Sequence, residues 1–298
     1  PYTLHALETS GITDFAIIVP DDASTDDSLS FLKENYPDIK IVQNRNNRGF
    51  SGNVNSGINI AQKELLLILN NDVQLGENYF VPLLPYFEKQ DTFGVMGRII
   101  AIDDDKIQDG AKYPGYSYSK IISTQNYTCQ TRNSHYYLFI SGANALTDRT
   151  KTVSLGGFNE IFNPYYSEDT DLGITAWRAG YKVYYDHRAV CRHPNSATIG
   201  KESSEKVMII SKRNKYILHF LHLDGFEFVF FLLKISLKTF FRSLVFNRLY
   251  VLAFATFIMN IRKILAVRTA YIPLRKYSTR QIISLIKKDI ENDKIDVF

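Results

Sequence analysis

The side chains best placed to do chemistry in this 298-residue chain are carboxylates that follow short apolar runs. Asp21-Asp22 comes just after Phe15-Ala16-Ile17-Ile18-Val19. Asp72, preceded by Asn70-Asn71, comes after Leu65-Leu66-Leu67-Ile68-Leu69. An unbroken aliphatic run of this length suits a strand covered on both faces. In open α/β sheets, ligands sit beyond the carboxyl ends of the strands. Oxygen-bearing side chains at that place can face a ligand or a hard divalent cation, which prefers oxygen donors. They can equally shape an Asx turn or cap the next helix.

The elements that would position these residues alternate. A helix is expected over Tyr2–Ser10, a strand over Phe15–Val19, and a helix whose apolar positions include Leu29 and Leu32. A strand follows over Ile39–Val42, then a long loop over Asn44–Gly57, a helix over Ile58–Lys63 and the strand before Asp72. The loop holds five asparagines and three glycines, a composition with unusual backbone demands. Strand, helix, strand, loop, helix, strand is the order of a parallel α/β sheet. Further on, Leu83–Phe87 reads as a short helix, Phe93–Ile100 as a strand and Ala101–Arg132 as a variable region that could contact an acceptor. Tyr137–Leu146 reads as a strand with small residues, Gly142 and Ala143, at its centre. Glu168-Asp169 opens a helix with an apolar stripe of Leu172, Ala176 and Ala179, ended by Gly180. Acids in a first turn also complement the helix dipole. Lys182–Tyr185 is a further strand, leading towards His193, a lone histidine of a kind that is often structural or solvated.

Taken together, Asp21-Asp22-Ala23-Ser24-Thr25-Asp26, Asn47-Arg48-Gly49-Phe50 with Asn55 and Gly57, and Leu69-Asn70-Asn71-Asp72 resemble family 2 glycosyltransferases of the GT-A fold. The likeness is greatest to a bacterial rhamnosyltransferase-like branch that builds surface polysaccharides. It covers residues 1 to about 200. It implies a mostly parallel sheet flanked by helices, and an inverting transfer of a sugar from a UDP- or dTDP-sugar donor. On this resemblance Asp21 accepts the imide N–H of the base, and Asp22, Asn47, Gly49, Asn55, Asn71 and Gly142 line the donor site. Asp72 holds Mg²⁺ or Mn²⁺, and His193, followed by a Ser-rich segment, completes the metal or diphosphate shell. Asp169 is the general base, and Asp171 holds its helix or a neighbouring arginine. Where the family carries the first acid of its metal motif, this chain has Asn70, leaving one carboxylate. Family members also begin with an apolar strand that this sequence lacks, so nucleotide binding depends on how that edge is completed.

Composition divides the chain. Residues 1–199 carry 17 Lys/Arg and 23 Asp/Glu, net −6; residues 200–298 carry 18 and 8, net +10, and the sum is the overall +4. We therefore expect a catalytic domain over 1–199 and a basic helical region over 200–298, with the boundary near Ser196–Ser204. From Phe228 to Lys288 there are 12 Lys/Arg and no acid, interleaved with large aliphatic and aromatic residues. That pattern suits helices lying at an anionic membrane surface, or a soluble helical subdomain or homo-oligomer contact. It does not suit nucleic acid, whose partners spread their cations over a polar face. Two cysteines, Cys129 and Cys191, lack metal-ligand spacing and fit a reducing compartment. No signal peptide and no span-length apolar run are seen. The expected location is therefore cytoplasmic, peripheral at the inner face of the membrane, with a glycan or lipid-linked acceptor. Two readings compete with the glycosyltransferase. One is a non-catalytic nucleotide-sugar-binding or scaffold protein. The other, a nucleotidyltransferase, would want a Gly-rich phosphate loop, which is absent.

Overall fold

A computed structural model describes residues 1–117, 120–122, 125–194 and 203–297. The elements run α1 (Tyr2–Thr9), β1 (Ile18–Asp21), α2 (Ser28–Asn35), β2 (Lys40–Gln43), α3 (Gly49–Ile60), β3 (Leu65–Leu69), β4 (Gln74–Leu75), β5 (Thr92–Ala101) and β6 (Ile107–Asp109). They continue with β7 (Gly115–Ser117), β8 (Lys120–Ile122), β9 (Tyr127–Cys129), β10 (Ser134–Tyr136), β11 (Asn144–Asp148), α4 (Arg149–Ser154), α5 (Glu168–Arg178) and β12 (Lys182–His193). After these come α6 (Ser204–His222), α7 (Gly225–Leu244), α8 (Arg248–Met259), α9 (Ile261–Ala270), α10 (Thr279–Asp289) and β13 (Ile295–Val297). The expected helix at Leu83–Phe87 is a 3₁₀ turn over Leu84–Glu88.

The main sheet has the order β10-β12-β5-β11-β3, with β4 on β12 and β6 on β5. β12 pairs parallel with β5, whereas β11 runs antiparallel between β5 and β3. The long strands β3, β5 and β12 therefore share one direction even though most neighbouring pairs are antiparallel. β1 and β2 form a separate parallel pair. Leu66 and Ile68 enter one hydrophobic core, and Leu65, Leu67 and Leu69 pack against the other. Both faces of β3 are thus covered, as its unbroken aliphatic run requires.

Three expectations are corrected. The strand before Asp21 is shifted towards it, to Ile18–Asp21, so Asp21 is its last residue. The Asn44–Gly57 segment is a loop only to Arg48. From Gly49 it is helix α3: the Asn53 amide donates to the Pro20 carbonyl of β1 at 3.1 Å, and Gly57 lies in contact with the Pro20 ring. Close packing outweighs the low helix propensity of glycine and asparagine. The Tyr137–Leu146 strand is broken: β10 ends at Tyr136, β11 starts at Asn144, and the residues between leave the ladder. There, α5 approaches so closely that a Cβ on Gly173 would lie 2.3 Å from Phe139 Cα. The Trp177 indole donates to the Tyr137 carbonyl at 2.7 Å.

The basic C-terminal helices pack into the larger core. Ile217, Leu221, Phe257, Ile264 and Ile282 belong to the same cluster as Phe93, Leu138 and Trp177. The contact is polar as well. Asp171, 1% exposed, accepts from Tyr271 Oη at 2.7 Å and pairs at 2.7 Å with Nε2 of buried His222. Burial holds the His222 imidazole below its usual range, so the bond runs from a neutral N–H to a carboxylate. Asp171 therefore anchors α6 and Tyr271, and not an arginine. We predict that Asp171→Ala, which strips buried His222 and half-buried Tyr271 of their acceptor, costs about 3–5 kcal/mol. The urea midpoint should fall with the slope unchanged; a loss below about 1 kcal/mol would exclude this anchor.

Candidate active site

The first group of residues sits at the carboxyl ends of β1 and β2. Asp21 is buried, and both its oxygens accept from the Ser24 N–H at 3.3 Å across a turn in which Ala23 takes φ +60°. Asp22 Oδ1 accepts from the Arg48 N–H at 2.7 Å, which ties the two strand ends together. Asn47 Oδ1 accepts from the Gly49 N–H at 3.1 Å, and Gly49 itself takes φ +67°, a region open to glycine. A cavity of about 340 Å³ beside them is lined by Ala23, Ser24, Gln43, Asn44 and Arg45. A larger one, about 470 Å³, lies under Tyr113 and α10 and shares no residue with this group.

Two of the predicted donor residues serve the fold. Asn55 donates to the Phe158 carbonyl at 2.7 Å and accepts from its N–H at 2.9 Å, so both ends of the amide are engaged. At Gly142 the space for a Cβ is filled by the Phe50 ring, 2.7 Å away. Asn71 is exposed on the turn after β3.

The second group is assembled from β3, β6, β12 and α5. Asp72 Oδ1 lies 3.2 Å from His193 Nε2, and His193 Nδ1 lies 3.1 Å from Gln108 Oε1. An Nδ1–H donated to Gln108 leaves the Nε2 lone pair facing a carboxylate oxygen that is itself buried and makes no hydrogen bond. Two acceptors so placed are satisfied by a proton or a cation between them. Oxygen from Asp72 and imidazole nitrogen from His193 suit Mn²⁺ well and Mg²⁺ less well, so the residues present fit a divalent metal. The Ser-rich segment after His193 begins at Asn195, and its residues to 202 lie outside those described, as does most of the expected 196–204 boundary.

Asp169 occupies the first turn of α5. Its Oδ1 accepts from the Thr170 N–H at 2.6 Å and the Thr170 hydroxyl at 3.1 Å. Burial raises the Asp169 carboxyl above the usual range, against the pull of the Thr170 bond, and the Asp109 charge raises it further while Lys112 opposes. Asp109 in turn stands 2.9 Å from Lys112 and is itself raised by burial. Gln108 and Asp109 of β6, and Lys112, were not singled out by sequence. They lie in a stretch without period, and only the pairing of β6 with β5 brings them here.

Glu168 is 8% exposed, and its Oε2 has no hydrogen-bond partner. Burial first, then the Asp169 charge, pushes its carboxyl strongly upward. A carboxyl raised on folding binds more protons in the native state, so stability is present at low pH. It is lost as pH rises from the ordinary glutamate value through the raised one, by up to about 1.4 kcal/mol per pH unit. Glu168→Gln should thus gain stability relative to the parent steadily from pH 5 to 8 in chemical denaturation. Parallel curves for the two proteins would refute a protonated Glu168.

Residues 1–151 match the family model described as Glycosyl transferase family 2. Among curated proteins, the chain is 25% identical over 211 residues to chondroitin synthase of Escherichia coli, covering 69% of this chain and 28% of that one. It is 22% identical over 217 residues to N-acetylglucosaminyl-diphospho-decaprenol L-rhamnosyltransferase of Mycobacterium tuberculosis, covering 63% of this chain and 69% of that one. Among solved structures, GalNAc-T7 with UDP, GalNAc and Mn²⁺ superposes with a TM-score of 0.58 at 16% identity, over 71% of this chain and 43% of that one. The last comparison establishes the GT-A architecture alone. The family model covers just over half of the residues, and the chain belongs to glycosyl transferase family 2.

Proposed function

We propose that the protein transfers a sugar from a UDP- or dTDP-sugar to a hydroxyl of a glycan or lipid-linked acceptor, with inversion, in surface polysaccharide synthesis. The observation that carries this reading is the convergence of Asp72, His193 and Gln108 within 3.2 Å contacts, beside Asp109 of the same strand, whose charge acts on Asp169. Asp169 takes the proton of the acceptor hydroxyl as its oxygen attacks the anomeric carbon. The bond from that carbon to the diphosphate oxygen breaks, and the nucleoside diphosphate leaves. A raised Asp169 carboxyl makes a stronger base than an ordinary aspartate. Asp72 and His193 would hold Mg²⁺ or Mn²⁺, whose charge offsets that of the departing diphosphate. Asp21, Asp22, Asn47 and Gly49 shape the base end of the donor site, and Asn71 lines its rim. The names of the relatives fit this direction: one acts as a rhamnosyltransferase on a decaprenol-linked sugar, and the solved neighbour holds UDP and Mn²⁺.

The C-terminal helices support a place at the membrane. No single described helix is long and apolar enough to cross a bilayer; α8 with residues Ile261–Leu274 reaches the length but bends by 61°. On α7, however, Phe226, Leu233, Leu237, Phe240, Phe241 and Leu244 are each more than half exposed, opposite a buried face of Phe231, Ile235 and Thr239. Such a face suits insertion at an anionic lipid surface on the inner side of the membrane.

Asp169→Asn should lower kcat by ~10²–10⁴-fold while the fold survives, and Asp72→Ala should abolish metal-dependent donor binding, measured by calorimetry with Mn²⁺ and a donor panel. Donor binding without turnover on every acceptor would favour the scaffold reading. Leu233→Glu with Leu237→Glu should release the protein from phosphatidylglycerol vesicles in flotation, while transfer to a water-soluble acceptor persists. Parent protein that fails to float would remove the membrane assignment.

A further inference from the structure

Away from the donor site, Cys129, His135 and Asp293 meet where the C-terminal strand joins the body, and we infer that they form a structural zinc site. Cys129 ends β9, His135 is the middle residue of β10, and Asp293 lies in the turn between α10 and β13. β13 pairs antiparallel with β9, with Ile295 opposite Cys129. The Cys129 Sγ, a ring nitrogen of His135 and a carboxylate oxygen of Asp293 all lie within 4.8 Å of one another. Tetrahedral zinc, with bonds of ~2.3 Å to sulfur and ~2.0 Å to nitrogen or oxygen, would set such atoms roughly 3.3–3.6 Å apart. Side-chain rotation of about 1 Å therefore closes the shell, with a water completing it.

His135 is the main support. It is 2% exposed, and neither Nδ1 nor Nε2 has a hydrogen-bond partner. A buried imidazole with both nitrogens unpaired is unfavourable, and a metal on one of them satisfies the lone pair. Burial lowers its pKa to about 4, against the opposing pull of Asp289 and Asp293, so the ring is neutral with a lone pair to give. On Asp293, Oδ2 is taken by Arg132 at 2.9 Å from Nε. Its Oδ1 accepts only the Thr131 hydroxyl at 2.7 Å, and that hydroxyl also stands 3.1 Å from the Cys129 Sγ, towards which it can turn. A thiolate and a carboxylate balance Zn²⁺, while Arg132 has Asp289 as a second partner at 3.2 Å. Thiolate and imidazole donors select zinc over the hard cations that suit Asp72. The bound metal would fasten the tail strand to β9 and β10.

The test uses the full chain carrying Asp72→Ala, stripped with chelator and titrated with Zn²⁺ and Co²⁺. We expect one zinc per chain, a thiolate-to-Co²⁺ charge-transfer band, and a Tm that climbs with zinc concentration as mass action requires. Adding Cys129→Ser should remove the band and the Tm rise. No bound zinc, a Co²⁺ spectrum without the thiolate band, or a band that survives Cys129→Ser would each overturn the site; the first two outcomes need no further variant to fold.

Discussion

The site depends on holding a left-handed turn in place. Tyr166 and Ser167, neither of them glycine, both take φ +77° immediately before the first turn of α5. Each such residue costs of order 1–3 kcal/mol and persists only when its surroundings over-determine it. Here those surroundings come from α6: the Asn214 amide lies 2.5, 2.8 and 2.9 Å from the carbonyls of Phe162, Tyr165 and Tyr166. Asn214 is fully buried, so this amide has no water to compete for it. The turn sets where Glu168 and Asp169 point, and the C-terminal region sets the turn.

Both ends of α5 are braced from the same direction. Asp171 holds His222 and Tyr271, and buried Arg178 donates to the His222 carbonyl at 2.8 Å and to Asp224 at 2.6 Å. Tyr271 also accepts from the Asn159 amide at 3.0 Å, which joins this network to the loop leading into the left-handed turn. Buried polar networks of this kind are costly when partly satisfied and rigid when complete. They make the basic region part of the apparatus that positions Asp169, while the outer face of α7 remains apolar and exposed. One segment thus does two physically separate things with its two sides.

Much of this was legible from sequence, and the exceptions have physical reasons. The strands before Asp21 and Asp72 show in their aliphatic runs, and α5 shows in its stripe and the acids of its first turn. The helix α3 was hidden because its glycines and asparagines, poor helix formers in isolation, are chosen for contact with β1 and with the loop at Asn163 and Pro164. The small residues around Gly142 show in the sequence as a point of close approach, but that the Phe50 ring fills the space of a Cβ there, from a position 92 residues earlier, does not. Gln108, Asp109 and Lys112 carry no periodic signal, and their place beside His193 and Asp169 comes from strand pairing across the sheet. Cys129, His135 and Asp293 are further from legible still, since no local spacing connects a residue near 130 with one near 293.

The charge distribution argues for a cation in the site independently of any single contact. Residues 1–199 carry a net −6, and Asp72, Asp109, Glu168 and Asp169 add a local concentration of acids with Lys112 as the cation set against Asp109. A nucleoside diphosphate is itself anionic, so the long-range field of this body opposes its approach. Arg45 beside the cavity at the ends of β1 and β2 offsets part of that, but it stands apart from the acids. Burial raises the carboxyls of Glu168, Asp169 and Asp109, and the Asp169 charge acts on Glu168 as the Asp109 charge acts on Asp169. A divalent ion between Asp72 and His193 would offset the same repulsion, turn an unfavourable field into a favourable one for the diphosphate, and leave Asp169 freer to ionise. On the proposed reading, donor binding and the readiness of Asp169 as a base would then be linked through one charge.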